Sequence, residues 1–340
     1  MIIKKLNKDL YNAYNQFLLE HPNALFYHSL KYKEFLETLL GCRSEYLLLC
    51  DSSNHIRGIL PLMVKNGTYG KVVNSLPYYG SNGSILVNEV DQEKILLNEY
   101  YKYLENEDIV ASTIISNPLN DSVYNYRHNF KDERIGQWTN IKEISEKTLM
   151  EKIDSSTRRN IRKAIKQDIQ ISINNNAIDF LQKVHNDNIA AIGGIPKEDK
   201  FFKLFPNQFE AGTDFNIYIA SKNNKPIAGL LVFYFKDVVE YFTPVIDHEF
   251  RSDQPLALII YNAMLDASRN NAEWWNWGGT WLNQEGVYKF KKKWGALDKP
   301  YYYYTICEDK SFECLKQEDL LNSYKNFFTL PFGELINEKN

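Results

Sequence analysis

The sequence predicts an α+β fold organised as two similar domains. Its 340 residues are more than one small hydrophobic core usually organises, and chains of this length tend to divide into domains. Segments with helical periodicity and segments with strand periodicity follow one another along the whole chain. A strand–turn–strand pattern also recurs at about half the chain length, which suggests a duplication.

The composition excludes several classes of protein. The formal net charge of −3 gives no global basic field for DNA, so any binding of anions must be local. The four cysteines have no CxxC spacing and the six histidines form no HxxxH or HExxH pair, so a metal site is not expected. The N-terminus does not resemble a signal peptide, and no apolar run is long enough to span a membrane. We therefore expect a reduced, cytoplasmic protein.

In the first half, apolar spacing predicts two helices followed by several strands. The expected helices are 8–20 and 29–40, the second of which ends at Gly41. Polar turn residues at 51–54 separate the first two of three expected strands. These strands are 46–50, 56–64 and 71–76.

The second half repeats part of this pattern. The segment YLLLCDSSNHIRGILPLMV in the first half resembles IYIASKNNKPIAGLLVFYF in the second. Each has a strand, a polar turn, an Ile-x-Gly sequence and an apolar strand, with the glycines at Gly58 and Gly229. Expected strands here are 217–221, 227–235 and 238–245. Two hairpins can also look alike by chance, so the repeat alone leaves both a duplication and a coincidence open.

A basic helix is expected between the halves, over residues 155–167, with Asp154 or Ser155 as its N-cap. Arg158, Arg162 and Lys166 form one row of like charges at i,i+4 spacing, which destabilises a helix unless an anion lies nearby. Such a row is typical either of a solvated linker helix or of a wall that faces phosphate groups.

The segment GGTWLNQEGVYKFKKKWGA, residues 278–296, contains a short lysine-rich helix. We expect it over 284–294, and the helical wheel places Val287, Phe290 and Trp294 on one apolar stripe that faces the core. Lys291 falls about 70° from the centre of that stripe, at the edge of burial. A lysine there either extends to water or meets an anion.

The residues before this helix favour the anion. Glu273–Trp277 reads as a strand that runs into Gly278 and Gly279, and glycines at a strand end allow a ligand to approach the backbone closely. The helix N-terminus that follows adds to an anion-binding geometry.

Three stretches together resemble the Fem-type transferases of the GNAT acyltransferase superfamily. LPYYGSNGSILV (76–87) is similar to the family's Leu-Pro-x-x-Gly segment, and RRNIRKAIKQDIQI (158–171) to its basic helix and following strand. WNWGGTWLNQEGVYKFKKKWGA (275–296) is similar to its Gly-Gly loop followed by Phe-Lys-x-x-aromatic-Gly.

The resemblance implies two tandem GNAT-like domains, each a mixed, mostly antiparallel sheet flanked by helices. We expect them at 1–150 and 151–340, with the basic helix 155–167 opening the second. It also implies a catalytic Lys291, which would contact substrate phosphate or the reacting carbonyl. The expected substrate-binding residues are Phe290, Gly278, Gly279, Tyr79, Gly80, Gly83, Arg158 and Arg162.

The sequence departs from these patterns at three places. GNAT enzymes that bind coenzyme A use a glycine-rich loop, whereas the matching region here, RSDQPLALII (251–260), has no glycine. Bridge-forming Fem proteins carry a lysine one turn after an aromatic residue of the second helix, where this chain has Phe35 and Leu36 after Tyr32. Asp168 replaces a glycine that is common after the basic helix.

The expected reaction is attack by an acceptor amine on an activated acyl ester or thioester. Lys291 would stabilise the oxyanion or hold a phosphate, and Tyr241, on a strand that borders the reaction centre in GNAT folds, is a second catalytic candidate. The donor is aminoacyl-tRNA or acyl-CoA, and the acceptor a phosphorylated or nucleotide-linked envelope precursor. Two alternatives remain: a non-catalytic binding module of degenerate GNAT fold that recognises a phosphorylated glycan or tRNA, and an acetyl-CoA-dependent sugar N-acyltransferase.

Overall fold

The computed structural model describes residues 1–78, 82–105, 108–120 and 125–331, which form fifteen strands and ten α-helices. The strands are β1 (Ile2–Lys5), β2 (Arg43–Ser44), β3 (Leu47–Cys50), β4 (Ile56–Leu60), β5 (Met63–Gly67), β6 (Gly70–Asn74), β7 (Leu86–Val87), β8 (Ile109–Ile115), β9 (Phe130–Asn140), β10 (Gln170–Ile173), β11 (Phe215–Lys222), β12 (Lys225–Phe235), β13 (Val238–Ile246), β14 (Trp274–Trp281) and β15 (Leu297–Cys307). The helices are α1 (Tyr11–Glu20), α2 (Leu30–Leu40), α3 (Val90–Glu105), α4 (Glu146–Lys152), α5 (Ser155–Lys166), α6 (Ile178–Ala190), α7 (Asp199–Gln208), α8 (Pro255–Arg269), α9 (Glu285–Lys292) and α10 (Gln317–Ser323).

One compact unit consists of Met1–Arg134 and Pro300–Asn340. It contains a four-stranded sheet with the order β1-β3-β4-β7 and a second set of neighbouring strands in the order β15-β8-β6-β5-β2. All its pairs are antiparallel except β6 with β8. Helix α3 packs on β3 and β4, and its buried leucines join the strand side chains in one hydrophobic core.

The other compact unit is Ile135–Lys299. Its strands follow the order β10-β11-β12-β13-β14-β9. The pairs from β10 to β13 are antiparallel, and β13 pairs with β14 in parallel. Helix α8 packs against β11, β12 and β13, and its apolar face supplies much of the buried core. Helix α5 in turn packs against α8.

The sequence repeat corresponds to a repeated structure in the two units. Leu49 pairs with Gly58 in the first hairpin, and Ile219 pairs with Gly229 in the second. The pairing register shifts directly after Leu49 in the first hairpin. In the second hairpin it shifts after Ala220, which is one residue beyond the position equivalent to Leu49. Each unit then adds one parallel pair, β6 with β8 and β13 with β14. The predicted α+β fold of mixed, mostly antiparallel sheets is confirmed, whereas the division at residue 150 stays a prediction.

Capping and turn residues define the boundaries much as expected. The Ser29 side chain accepts a hydrogen bond from the Tyr32 amide at the start of α2, and Gly41 ends that helix with a φ of 57°. The Asp154 carboxylate caps α5 by accepting from the Ser156 amide. The strand predicted over 56–64 is instead divided into β4 and β5, because Pro61 lies between them and has no N–H to donate.

Asp168 has a φ of 54° just after α5. This left-handed conformation favours glycine and is tolerated by aspartate. We therefore expect Asp168→Gly to change the free energy of unfolding by less than about 1 kcal/mol. Asp168→Val should lose roughly 1–3 kcal/mol because a β-branched residue is strained there. Urea denaturation checks both, and equal stability of the two variants would contradict the assignment.

The described residues contain neither a membrane-crossing helix nor a cluster of potential metal ligands. None of the described helices combines the length and the apolar character that crossing a membrane requires. Among the same residues, no three His, Cys, Asp or Glu side chains cluster closely enough to hold a metal ion.

Candidate active site

Strands β13 and β14 separate part of the way along their length. They pair over Val238–Glu240 and Trp274–Asn276. Beyond these positions Tyr241–Ile246 and Trp277–Trp281 continue as strands without pairing with each other, although both segments lie in the described part of the chain. A register shift against β12 also leaves Phe242 as a bulged residue at the point of separation. Bulges of this kind redirect side chains beside active sites, and the separated segments define what we call the β13–β14 gap.

A chain of hydrogen bonds begins at Glu240, the last paired residue of β13. Its carboxylate is buried and accepts a hydrogen bond of 2.8 Å from the Asn276 side chain. The side-chain oxygen Oδ1 of Asn276 accepts in turn from the backbone amide of Gly278, also at 2.8 Å. Glu240 is not among the site residues predicted from the sequence. The signal was available, because Glu240 is the only carboxylate in the strand VVEYFTPVI and burying a charge is costly without partners.

Lys291 is buried, with 5% of its surface exposed, and its ammonium group is fully engaged. Nζ donates to the carbonyl oxygens of Gly278 and Gly279, at 3.2 and 3.0 Å, and to Oγ1 of Thr280 at 2.8 Å. Thr280 Oγ1 donates onward to Gln137 on β9. Because a trans peptide directs its N–H opposite to its C=O, the amides of Gly279 and Thr280 point away from the ammonium group.

Burial lowers the pKa of Lys291 from 10.5 to about 8, because desolvation disfavours the charged form. The three oxygen acceptors favour the charged form, but none of them is a carboxylate that would offset the loss of hydration fully. The ammonium form therefore dominates at neutral pH and is lost in mildly alkaline solution.

This low pKa has a measurable effect on stability. Between about pH 8 and 10.5 the unfolded chain binds more protons at residue 291 than the folded chain does, so the free energy of unfolding should rise with pH. Relative to Lys291→Met, the wild type should gain roughly 1–2 kcal/mol between pH 8 and 9.5. Urea denaturation at several pH values measures this difference. Parallel curves for the two proteins would show that residue 291 titrates like an exposed lysine.

The predicted orientation of α9 is partly wrong. Trp294 is buried as expected, but Val287 and Phe290 are exposed, and Lys291 is buried and not at the edge of burial. The last turn of α9 contacts β14 through Lys291 and through the Phe290 ring, 6.0 Å from that of Trp277. The ring of Trp294, just after α9, lies 5.9 Å from that of Trp277. The wheel ranks side chains by polarity alone, and it could not include the carbonyl oxygens that make burial of Lys291 possible.

The strand end was also predicted too early. β14 does not stop at Trp277 but continues through Gly278 and Gly279 to Trp281. Gly278 has a φ of 73°, and a Cβ atom built on it would meet nothing within 4 Å. This glycine therefore provides a left-handed turn in the strand and faces open space, as a ligand-accessible backbone requires.

Tyr241 is the first residue of β13 inside the gap. Its ring lies 4.9 Å from that of Trp277 and 6.2 Å from that of Trp275. No hydrogen bond joins its hydroxyl to any described residue, and burial raises its pKa above the ordinary value of 10.0. The phenol is therefore protonated at neutral pH, and its hydroxyl can donate a hydrogen bond to a bound group.

Three candidates come from the LPYYGSNGSILV segment, and two of them, Tyr79 and Gly80, lie outside the described residues. Gly83 is described and belongs to the other compact unit from Lys291. A Cβ atom on Gly83 would come within 2.6 Å of the Leu76 side chain, so this glycine permits close packing. Its role in binding substrate stays a prediction.

The two arginine candidates on the basic helix α5 have different environments. Arg158 is half-buried, and its Nη1 donates to the carbonyl oxygens of Met150 and Ile153 at the end of α4. Arg158 therefore caps α4, a structural contact that does not depend on any ligand. Arg162 is exposed, and it shares the solvent side of α5 with three other exposed cations. These are Arg159, Lys163 and Lys166.

The family comparison falls on the segment that contains the β13–β14 gap and leaves out helix α5. The FemAB family model matches residues 213–297, which include Tyr241, Gly278, Gly279 and Lys291. The resemblance to Fem-type transferases is thus confirmed over this segment, and the match supports the expected transferase activity. No curated protein matches the chain.

Solved structures agree with the tandem GNAT-like fold. FemX is 13% identical, with coverage of 89% of this chain and 97% of FemX and a TM-score of 0.69. A conserved protein from Bacteroides thetaiotaomicron is 14% identical, covers 91% of this chain and 100% of its own, and has a TM-score of 0.57. A tandem GNAT protein from the clavulanic acid biosynthesis pathway is 10% identical, with coverage of 89% and 97% and a TM-score of 0.51. At these identities the likeness concerns the fold.

Proposed function

We propose, from the FemAB-family segment at residues 213–297, that this chain is an acyl- or aminoacyltransferase of cell-envelope biosynthesis. It would act in the cytoplasm on an amine of a peptide or saccharide precursor. In the reaction the amine nitrogen forms a bond to the acyl carbonyl carbon, the ester or thioester bond to the donor breaks, and the amine loses one proton. The leaving oxygen or sulfur takes up a proton.

The β13–β14 gap, with Lys291 bound beside it, is the observation that carries this proposal. Two parallel strands that separate leave backbone amides and carbonyls facing an opening that an extended acyl donor can enter. The gap is lined by Tyr241 on one strand and by Gly278 and Gly279 on the other. It therefore offers a proton donor and an open backbone in one place.

Stabilisation of the oxyanion would come from the backbone that Lys291 holds. By binding the Gly278 and Gly279 carbonyls, the ammonium group turns the amides of Gly279 and Thr280 in the opposite direction. Two amides that point the same way form an oxyanion hole when they face the developing negative charge. Lys291 would thus be a positioning residue whose positive charge also favours the anion.

Tyr241 would protonate the leaving group. Its raised pKa keeps the proton on the hydroxyl at neutral pH, and no described residue accepts that hydrogen. Glu240 would act without touching the substrate. It would hold the Asn276 side chain, which in turn binds the Gly278 amide. No base in the gap is needed if another group of the acceptor substrate or the bulk solvent takes the proton that the amine loses.

The donor is best explained as aminoacyl-tRNA. Coenzyme A pyrophosphate needs free backbone amides at the start of the helix after β13. Here the Gln254 amide already donates to the Arg251 carbonyl, and Gln254 has a φ of 63° in place of a glycine. The four exposed cations on α5 are suited to RNA phosphates. Phosphorylated or nucleotide-linked envelope precursors are the acceptors that this chemistry would serve.

A binding module without catalysis is the second candidate. One observation favours it: all three hydrogens of the Lys291 ammonium group are donated within the protein. Such a module would recognise a phosphorylated glycan or tRNA through α5 and would not turn over.

An assay of acyl transfer separates the candidates. The protein is incubated with aminoacyl-tRNA or acyl-CoA and an amine acceptor, and the release of deacylated tRNA or free thiol is followed. The proposal expects release from aminoacyl-tRNA that depends on the acceptor. Binding of tRNA that weakens steeply with salt, without release under any condition, would favour the binding module. Release from acyl-CoA alone would support the sugar N-acyltransferase.

A further inference from the structure

Four large apolar side chains are exposed next to the candidate active site. We name Trp281, Leu282, Val287 and Phe290 the α9 patch; their exposed fractions are 51%, 61%, 43% and 38%. They come from the end of β14, the link that follows it and the exposed side of α9. Single exposed apolar residues are normal on protein surfaces, but four within ten positions form a patch that needs a partner.

The same segment is rich in positive charge. Between Trp281 and Lys299 the chain has five lysines against the two carboxylates Glu285 and Asp298. Three of the lysines, Lys289, Lys292 and Lys293, are exposed on α9 or directly after it. Lys289 pairs with Glu285 and Lys292 with Asp298, so both carboxylates are already used and the remaining charge is positive.

We propose that the α9 patch docks on the surface of an anionic lipid bilayer. Tryptophan and large aliphatic side chains flanked by lysines are typical of segments that lie in the membrane interface, where the apolar groups enter the acyl boundary and the lysines meet headgroups. A protein partner fits less well, because lysine is depleted in protein–protein interfaces. The positive charge complements anionic headgroups and supplies attraction before the apolar groups insert.

The α9 patch is continuous with the β13–β14 gap. The Phe290 ring lies 6.0 Å from that of Trp277, and Phe290 precedes Lys291 in α9. Trp281 is the last residue of the strand whose carbonyls Lys291 binds. Docking would therefore bring the mouth of the gap to the bilayer, and the acceptor amine would belong to a lipid-linked precursor. This last step rests on the proposed function, whereas the docking itself does not.

Trp281 provides an internal probe of docking. Trp138, Trp275, Trp277 and Trp294 are buried and Trp274 is half-buried, so Trp281 is the one tryptophan of six that is largely exposed. Vesicles of phosphatidylglycerol and phosphatidylcholine should shift the emission of the wild type to shorter wavelength. Brominated acyl chains should quench it, and Trp281→Phe should lose both changes while still binding.

Sedimentation with the same vesicles tests the contribution of the patch. Leu282→Ser combined with Phe290→Ser should lower the partition coefficient at least about tenfold, because two apolar side chains no longer insert. Leu19→Ser is the matched control, since Leu19 on α1 is also 61% exposed. The wild-type protein should bind only weakly to vesicles made of phosphatidylcholine alone.

Three results would overturn the proposal: no binding to anionic vesicles, binding that survives the double substitution, or binding without any change in Trp281 emission. Failure of the proposed function is recognised separately. Vesicle binding without acyl transfer to any acceptor would support the docking surface and contradict the proposed transferase activity. Transfer to a soluble acceptor at the same rate with and without vesicles would support the transferase activity and contradict a lipid-linked acceptor.

Discussion

Lys291→Met is expected to lower kcat for acyl transfer by about 10²–10³-fold, because it removes the support of the two oxyanion-binding amides and the loss of one such donor usually costs that much. Methionine fills a similar volume but can neither donate to the Gly278 and Gly279 carbonyls nor supply a charge. The amides of Gly279 and Thr280 would then lose their fixed direction. Single-turnover kinetics measure the chemical step directly, apart from binding and product release.

A matched control is Lys293→Met, which removes an exposed lysine two residues away. Its kcat should stay within about twofold of the wild type, because an exposed charge in water contributes little. Lys291→Arg should not restore full activity, since the planar guanidinium cannot replace a compact ammonium group in the same site. An unchanged kcat in Lys291→Met, with the fold intact by circular dichroism, would contradict the role given to Lys291.

Tyr241→Phe is expected to lower kcat by about 10²-fold and to leave KM nearly unchanged, because general acid catalysis contributes about that much to a rate. The ring contacts with Trp275 and Trp277 do not involve the hydroxyl. Stability should therefore change by less than about 0.5 kcal/mol. Steady-state kinetics with a poor and a good leaving group measure the effect, which should be larger for the poor one.

Tyr234→Phe provides the opposite control. The Tyr234 hydroxyl lies 3.2 Å from that of Tyr218, and both groups are part of a hydrogen-bonded pair outside the gap. Its loss should cost roughly 1 kcal/mol of stability and leave kcat unchanged. If Tyr234→Phe slowed the reaction as much as Tyr241→Phe, the loss would reflect general loosening of the sheet and not proton transfer.

Local signals in the sequence were sufficient for most of the fold. Ser29, Asp154 and Gly41 mark helix ends because capping depends on neighbouring backbone groups. Asn223 and Asn224 make the predicted turn with φ values of 52° and 61°, which asparagine tolerates. The repeat of the hairpins predicted the duplication because equivalent residues occupy equivalent positions in both sheets.

The site was harder to predict because its contacts are not local. The Phe-Lys motif selected Lys291, but its burial depends on oxygens twelve and thirteen positions earlier in the chain. Glu240 is a lone carboxylate in an apolar strand, which marks it in the sequence, but its partner Asn276 lies 36 positions away and is brought beside it only by the fold. The continuation of β14 through Gly278 and Gly279 likewise depends on the sheet, which overrides the tendency of glycine to end a strand.

The central claim is that acyl transfer occurs in the β13–β14 gap, on the backbone that Lys291 holds. A crystal structure with an aminoacyl-adenosine whose ester is replaced by an amide tests it most directly. The account predicts the acyl carbonyl oxygen within about 3.2 Å of the amide nitrogen of Gly279 or Thr280, with the Tyr241 hydroxyl facing the ribose. An ordered analogue bound elsewhere, with Gly279, Thr280 and Tyr241 making no contact to it, would contradict the account.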